Sequence, residues 1–436
     1  MAKTQLAKGS KKLLNAWAFY DWANSVYSLV IASAIFPIYY SALFAAQGKD
    51  TVEIFGGVIR DTPLITYVTA AAFLVVAIIS PILSGIADYL GNKKNFMKFF
   101  CYLGALSWMG LYFFSLEQIY LSVLSYFLAL VGFWGSLVFY NSYLPDVAHL
   151  EQQDRISAKG FSMGYIGSVI LLLVNLAMVL MAEEGDPQLM AMRYSFLLVG
   201  IWWIAFSQYS FYHLPKGNNN GQKMHKGVLF SGFKELQQVQ RSLSHNPRLK
   251  RFLIAFFVYS MAVQTVMLVA TYFGEQEIAW GGDTEKRTGL IVSILLIQLV
   301  AVVGAMLTAR ASTKYGNIKT LIVINIVWVG ICVVAYFITA PVEFYITAGV
   351  VGLVMGGIQA LSRSTYSKFL PETKDTTSYF SFYDVAEKIG LVIGLGLYGF
   401  IDQITGSMRN SVLFLIVFFA IGVWLLTRVP KKQPES

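Results

Sequence analysis

An all-α membrane protein of twelve transmembrane helices, arranged as two parallel six-helix repeats, is the fold that this sequence predicts. Three observations predict it. Apolar runs of membrane length recur from end to end, Lys and Arg crowd into alternate connections, and short motifs return in the same order in each half. Of 436 residues, 56% are hydrophobic and 13% are charged. A soluble domain carries about 25% charged residues, so this chain lacks the charge to cover itself in water.

A helix needs about 20 apolar residues to cross the hydrocarbon. The expected spans are 17–45, 64–87, 95–115, 118–143, 160–182, 193–212, 251–274, 288–310, 318–339, 343–367, 379–402 and 410–428. The polar, basic start over 1–15 runs into an apolar stretch without a small-residue cleavage site, which therefore reads as the first span. Connections on the side of the N-terminus hold 26 Lys and Arg, those on the other side hold 6, and Lys388 falls inside a span. That asymmetry places both termini in the cytoplasm of an inner, or plasma, membrane.

The net charge of +9 thus reads as topology. No basic run is interleaved with aromatics, so nucleic acid is not an expected partner. Cys101 and Cys332 lie in separate spans and read as small buried residues, neither a disulfide nor a metal site. No cofactor is expected. The expected partners are the bilayer and a small-molecule solute, with protons as the candidate coupling ion, and the chain is expected to be a monomer.

The longest connection, 213–250, separates an N-terminal half, 1–212, from a C-terminal half, 251–436. It opens on a turn-prone stretch over 217–221. Beyond it Phe233, Leu236, Val239 and Leu243 recur at helical spacing among Lys, Gln and Arg, as in an amphipathic linker helix lying on the membrane surface.

The halves repeat. Gly91-Asn92-Lys93-Lys94 after the second span matches Gly316-Asn317-Ile318-Lys319 after the eighth. Tyr140 and Tyr143-Leu144-Pro145-Asp146 match Tyr366 and Phe369-Leu370-Pro371-Glu372, and Tyr20-Asp21 with Ala23 match Tyr259-Ser260 with Ala262. Six-span halves of one orientation are parallel repeats, for which a solute site is expected between them near the midplane.

Polar groups at membrane depth are expensive and therefore informative. Asp21, Asn24, Ser25 and Ser28 form one stripe of the first span; Ser260, Gln264 and Thr271 share a face of the seventh; Gln359, Ser362, Arg363 and Tyr366 form a stripe of the tenth. The fourth span offers Tyr140 and Asn141. A polar-lined pathway accounts for these pseudo-equivalent positions, against the alternative that each merely bridges neighbouring helices. The candidate solute-binding residues are Tyr20, Asp21, Asn24, Tyr140, Asn141, Tyr259, Gln264, Gln359 and Arg363. Arg363 is read either as a partner for a solute carboxylate or, being near a span end, as a snorkelling or gate residue.

The eleventh span holds Asp384, Glu387 and Lys388, of which Asp384 and Lys388 are neighbours one turn apart. Glu387 and Asp21 have no sequence-local partner and are candidate proton carriers; Asp21, Asp384, Glu387 and Lys388 together form the candidate coupling set. Gly160/Gly164, Gly352/Gly356 and Gly390/Gly394 read as close-packing pairs. No P-loop, H-E-x-x-H or Ser/His constellation lies at membrane depth, so an enzyme is not expected, and the connections cannot hold a nucleotide-binding domain. A lipid or drug exporter and a non-transporting sensor or scaffold are the competing readings.

The loop after the second span, Ser84-Gly85-Ile86-Ala87-Asp88-Tyr89-Leu90-Gly91-Asn92-Lys93-Lys94, resembles the signature of the major facilitator superfamily. Asp88, Gly91, Lys93 and Lys94 carry the likeness; Ser84 stands at the first glycine, and Tyr89 and Asn92 at basic positions. The resemblance implies that these four brace a gate, with Asp88 facing the start of the eleventh helix. Trp17-Ala18-Phe19-Tyr20-Asp21-Trp22-Ala23-Asn24-Ser25 and Gly356-Gly357-Ile358-Gln359-Ala360-Leu361-Ser362-Arg363-Ser364 resemble more specifically the vacuole-effluxer-like branch, as do Gly164-Tyr165-Ile166-Gly167 and Phe382-Tyr383-Asp384-Val385. That branch implies secondary active transport of a small polar organic solute by alternating access, with amino acids as the class its fungal members release from the vacuole. A bacterial member working in the same topological sense would import.

Overall fold

The computed structural model describes residues 6–54, 56–217 and 228–431. The turn expected over 217–221 lies, beyond Gly217, outside the described residues. The first span is built from α1 (Lys11–Asn24), a π-helical stretch (Tyr27–Ile35) and α2 (Phe36–Ala46). Pro37 in the first turn of α2 has no N–H to give to the preceding turn, and the helix is widened just ahead of it.

The next five spans follow as α3 (Asp61–Leu90), α4 (Lys93–Gly110), α5 (Ile119–Asn141), then, after the single turn α6 (Leu144–Val147), α7 (Gln153–Met181) and α8 (Asp186–His213). The connecting helix α9 (Val228–His245) leads into α10 (Pro247–Glu277), α11 (Asp283–Tyr315), α12 (Asn317–Phe337), α13 (Pro341–Phe369), α14 (Thr376–Thr405) and α15 (Met408–Thr427). Among the described residues, eleven stretches are long and apolar enough to cross a membrane. The thirty-residue α14, which carries Asp384, Glu387 and Lys388, is the twelfth span.

Several helices outrun the expected spans. α7 starts at Gln153 and α3 continues to Leu90, because hydropathy reads the width of the hydrocarbon whereas a helix continues into the polar zone until it is capped. Gly91 ends α3 in the left-handed conformation, φ +63°, which a side chain would strain.

Two expectations change. The all-helical reading omitted a hairpin, Thr51–Ile54 paired antiparallel with Gly57–Arg60 in the register Thr51↔Arg60, with Gly56 at φ +75°. Alternation at Val52 and Ile54 before Gly56-Gly57 was the local signal. The stripe on α9 also does not simply lie on lipid. Val239 is 2% exposed and Leu236 and Leu243 are half-buried against protein, while Phe233 is 48% exposed. Gly232 of α9 abuts the backbone of Gly85, so close that a Cβ there would sit 2.8 Å from the Ile86 nitrogen.

The chain forms two compact units. One holds Met1–Tyr143 and Met163–Glu235, the other Leu144–Ser162 and Leu236–Ser436. The segment Leu144–Ser162 therefore packs with residues that follow the long connection, although it precedes it.

Each unit carries the same brace. In the first, Arg193 of α8 donates to the Tyr39 hydroxyl at 2.9 Å and to the Phe114 carbonyl, just beyond α4, at 3.3 Å. In the second, Arg409 of α15 donates to the Glu277 carboxylate at 2.7 Å, the Glu277 carbonyl at 2.8 Å and the Tyr336 carbonyl at 2.7 Å. A guanidinium fork thus satisfies backbone at or just beyond the C-terminal end of the third helix of each repeat, and also reaches the first helix, through a tyrosine hydroxyl in one unit and through carboxylate and carbonyl in the other.

In the second unit α11 and α13 meet at backbone distance. A Cβ on Gly304 would fall 2.0 Å from the Leu353 carbonyl oxygen, one on Gly356 2.1 Å from that of Ala301, and one on Gly352 2.5 Å from that of Ile297. Gly352 and Gly356 are the close-packing pair expected for this helix. Cys101 and Cys332 are both buried free thiols, in different units.

Candidate functional site

In the first unit the polar stripe of α1 is packed, not open. Tyr20 and Tyr140 are each 0% exposed, with ring centroids 4.9 Å apart. Trp17 stacks on Tyr140 at 4.8 Å and donates its indole N–H to the Tyr140 carbonyl at 3.0 Å. This geometry gives Tyr20 and Tyr140 a packing role between α1 and α5. Asp21 and Asn24 are also buried, and the Ser25 hydroxyl donates to the Asn24 side-chain oxygen at 3.2 Å. Gly164 of α7 admits this stripe, since a Cβ there would lie 2.3 Å from Ser25 Oγ. Asn141, at the end of α5, is half-buried.

The four expected gate residues also lie in the first unit. Asp88 is buried, and Gly91 makes the left-handed cap already described. The Lys93 ammonium donates to the Ser142 carbonyl at 3.0 Å and sits 4.5 Å from the centre of the Tyr143 ring. Lys94 donates to the Leu214 carbonyl at 2.6 Å. The basic pair therefore holds the C-terminal ends of α5 and α8, where cations are favoured by the helix dipole. The Tyr143 hydroxyl donates to the Pro215 carbonyl at 2.8 Å, beside the same ends.

The second unit brings more of the expected residues together. The Gln264 amide of α10 donates to Glu387 Oε1 of α14 at 2.7 Å, and both residues are half-buried. Asp384 and Lys388 form a buried ion pair one turn apart on α14. The Tyr259 and Ser362 hydroxyls share a hydrogen bond of 2.7 Å between α10 and α13. Gln359 is half-buried, its amide 3.3 Å from Met267 Sδ.

Arg363 does not snorkel. It is 3% exposed, donates to the Ser157 hydroxyl at 3.0 Å and carbonyl at 3.1 Å, and lies 4.1 Å from the centre of the Phe161 ring. Ser157 in turn donates to the Ala360 carbonyl at 2.7 Å. All of these partners fall in the segment Leu144–Ser162 or in α13.

One cluster was not anticipated. Asp154, in the first turn of α7, accepts from Lys368 at 2.5 Å, from the Ser312 hydroxyl at 2.8 Å and from the Asn317 amide at 2.8 Å. The repeat carried the signal: Asn317 of Gly316-Asn317 corresponds to Asn92, beside which a brace was expected, but its partner lies 163 residues away.

A family model described as "Vacuole effluxer Atg22 like" matches residues 9–435. The chain is 32% identical over 431 residues to a Bacillus subtilis (strain 168) protein named as an uncharacterized MFS-type transporter, YxiO, covering 98% of this chain and 97% of that one. It is 25% identical over 428 residues to Autophagy-related protein 22 of Saccharomyces cerevisiae, covering 84% and 78%. Among solved structures, the E. coli fucose:proton symporter FucP superposes with a TM-score of 0.69 at 14% identity, covering 97% of this chain and 98% of that one. The proton:xylose symporter XylE does so with a TM-score of 0.69 at 13% identity, covering 96% and 95%. At such identities the likeness to the solved structures is one of fold: twelve helices in two parallel six-helix repeats.

Proposed function

The chain belongs to the Atg22-like vacuole effluxer family of the major facilitator fold, and from that premise we propose that it is a secondary active, proton-coupled symporter of a small polar organic solute. The observation that carries the reading is the Gln264–Glu387 hydrogen bond, which keeps a half-buried carboxylate at membrane depth within reach of a proton. Amino acids are the favoured solute class, by resemblance to the fungal relatives. Both termini are proposed to be cytoplasmic, which the distribution of Lys and Arg supports, and the proposed sense of transport, by resemblance to the vacuolar relatives, is import across the plasma membrane.

Half-buried Gln359 of α13 is the proposed contact of the solute within the second unit. Alternating access then requires a set of contacts that open and re-form. The Asp154 cluster and the Arg363–Ser157 bonds, which hold Leu144–Ser162 within the second unit, are the proposed set. The domain division at 213–250 is proposed as the linker between the moving halves.

Uptake of labelled amino acids and small osmolytes into proteoliposomes, with and without a pH gradient, tests the proposal. The expected result is gradient-driven accumulation of at least one compound, lost in Glu387→Gln or Asp21→Asn. Gradient-driven uptake unchanged in both variants would remove these carboxylates as proton carriers.

A further inference from the structure

Glu387 is surrounded by charge but bonded by a neutral group. On its own helix, α14, it is flanked by Tyr383, Asp384 and Lys388; Tyr259 faces it from α10 and Arg363 acts on it from α13. Lys388 is engaged by Asp384, and Arg363 is engaged by Ser157 and Phe161. The hydrogen bond that the Glu387 carboxylate receives comes from the Gln264 amide.

An amide has a property that none of these cations has. It carries donor and acceptor on one planar end, whereas Lys and Arg only donate. Toward an ionised carboxylate the amide donates, as in this structure. Toward a protonated carboxyl it has a second option, because its carbonyl can accept the new O–H. Gln264 is half-buried, and its last torsion is of the broad, roughly two-fold kind, so either amide atom can face the carboxyl.

We propose that Gln264 is the positioning residue of the Glu387 proton site, its N–H donating to the carboxylate and its carbonyl accepting from the protonated carboxyl. This extends the proton-coupling reading and rests on it. Its spacing on α10 makes Gln264 a candidate solute contact; in this proposal it serves the coupling ion instead. Protonation on α14 is thereby registered on α10, 123 residues away in sequence, as a change in which amide atom bonds. The proton comes from water and returns to it, and no covalent bond other than O–H is made or broken.

The test reads the proton directly and needs no solute. Infrared difference spectra of the full-length chain in lipid, titrated with acid, contain protonated-carboxyl bands, and the one missing in Glu387→Gln belongs to Glu387. In Gln264→Met, which keeps size and loses both donor and acceptor, the midpoint of that band should move upward by about one pH unit, because the charge-assisted bond to the carboxylate is the stronger of the two that are lost. Gln264→Asn, which keeps an amide, should move it less. With carbon-13 in glutamine amides, the wild-type chain should show an amide band changing at the same midpoint, absent from Gln264→Met. An unmoved midpoint in folded Gln264→Met overturns the proposal. So does an amide signal that ignores the carboxyl titration, a measurement on wild-type protein that stands if the variants do not fold. Should the bands behave as stated while uptake proves indifferent to pH, the coupling reading fails and the Gln264–Glu387 assignment stands.

Discussion

The Asp154 carboxylate and the Lys368 ammonium lie 2.5 Å apart although 214 residues separate them. Asp154 occupies the first turn of α7 and Lys368 the last turn of α13, so each charge also sits where its own helix dipole favours it. Ser312 and Asn317 fill further acceptor positions on the carboxylate. Asp154→Ala should therefore be the more damaging change, since it removes the negative charge from Lys368 and one acceptor from each of three donors, lowering stability by about 3 kcal/mol. Lys368, whose side chain is 21% exposed, should be worth less. Thermal unfolding of the single and double variants checks this, with a double variant milder than the sum of the singles.

The paired braces predict that Arg409 will not tolerate lysine. A single ammonium cannot reach the Glu277 carboxylate and the Glu277 and Tyr336 carbonyls as the fork does. Arg409→Lys should lose about 1–2 kcal/mol, and Arg193→Lys should lose its Phe114 contact in the same way. Unfolding temperatures that match wild type in both variants would show that the forks contribute nothing.

Helix packing separates glycines that look alike in sequence. Gly356→Ala should sharply reduce folded yield, since its Cβ would meet the Ala301 carbonyl at 2.1 Å and force α11 and α13 apart. Gly390→Ala should be mild, because the nearest atoms, in Met261 and Phe257, stand 3.3 Å away. Size-exclusion profiles of the purified variants distinguish the two outcomes.

Glu387→Gln should abolish pH-driven uptake while sparing exchange of solute across the membrane without a gradient, because the amide can still bond to Gln264 but can carry no proton. Loss of both modes together would mark Glu387 as a structural or solute-binding residue.

Much of the candidate site was legible one residue at a time and illegible in pairs. That Glu387, Gln264, Arg363 and Tyr259 are candidates follows from polar side chains standing at membrane depth. That Gln264 meets Glu387, and Arg363 meets Ser157, depends on how far each helix is rotated and tilted. Tyr20 and Tyr140 illustrate the converse. Their polar hydroxyls earned them a place among solute contacts, yet both rings are wholly enclosed in an aromatic cluster with Trp17. The basic pair Lys93 and Lys94 holds helix ends within the first unit.

The membrane class, the twelve spans and the twofold repeat follow from the residues alone, because hydropathy and motif order are local and additive along the chain. Partnership is neither. The bond from Lys368 to Asp154, the turn of α9 onto Gly85 and the docking of Leu144–Ser162 with the later helices arise from packing. Each is the joint outcome of many side-chain contacts along several helices, of which no short stretch of sequence holds more than one side.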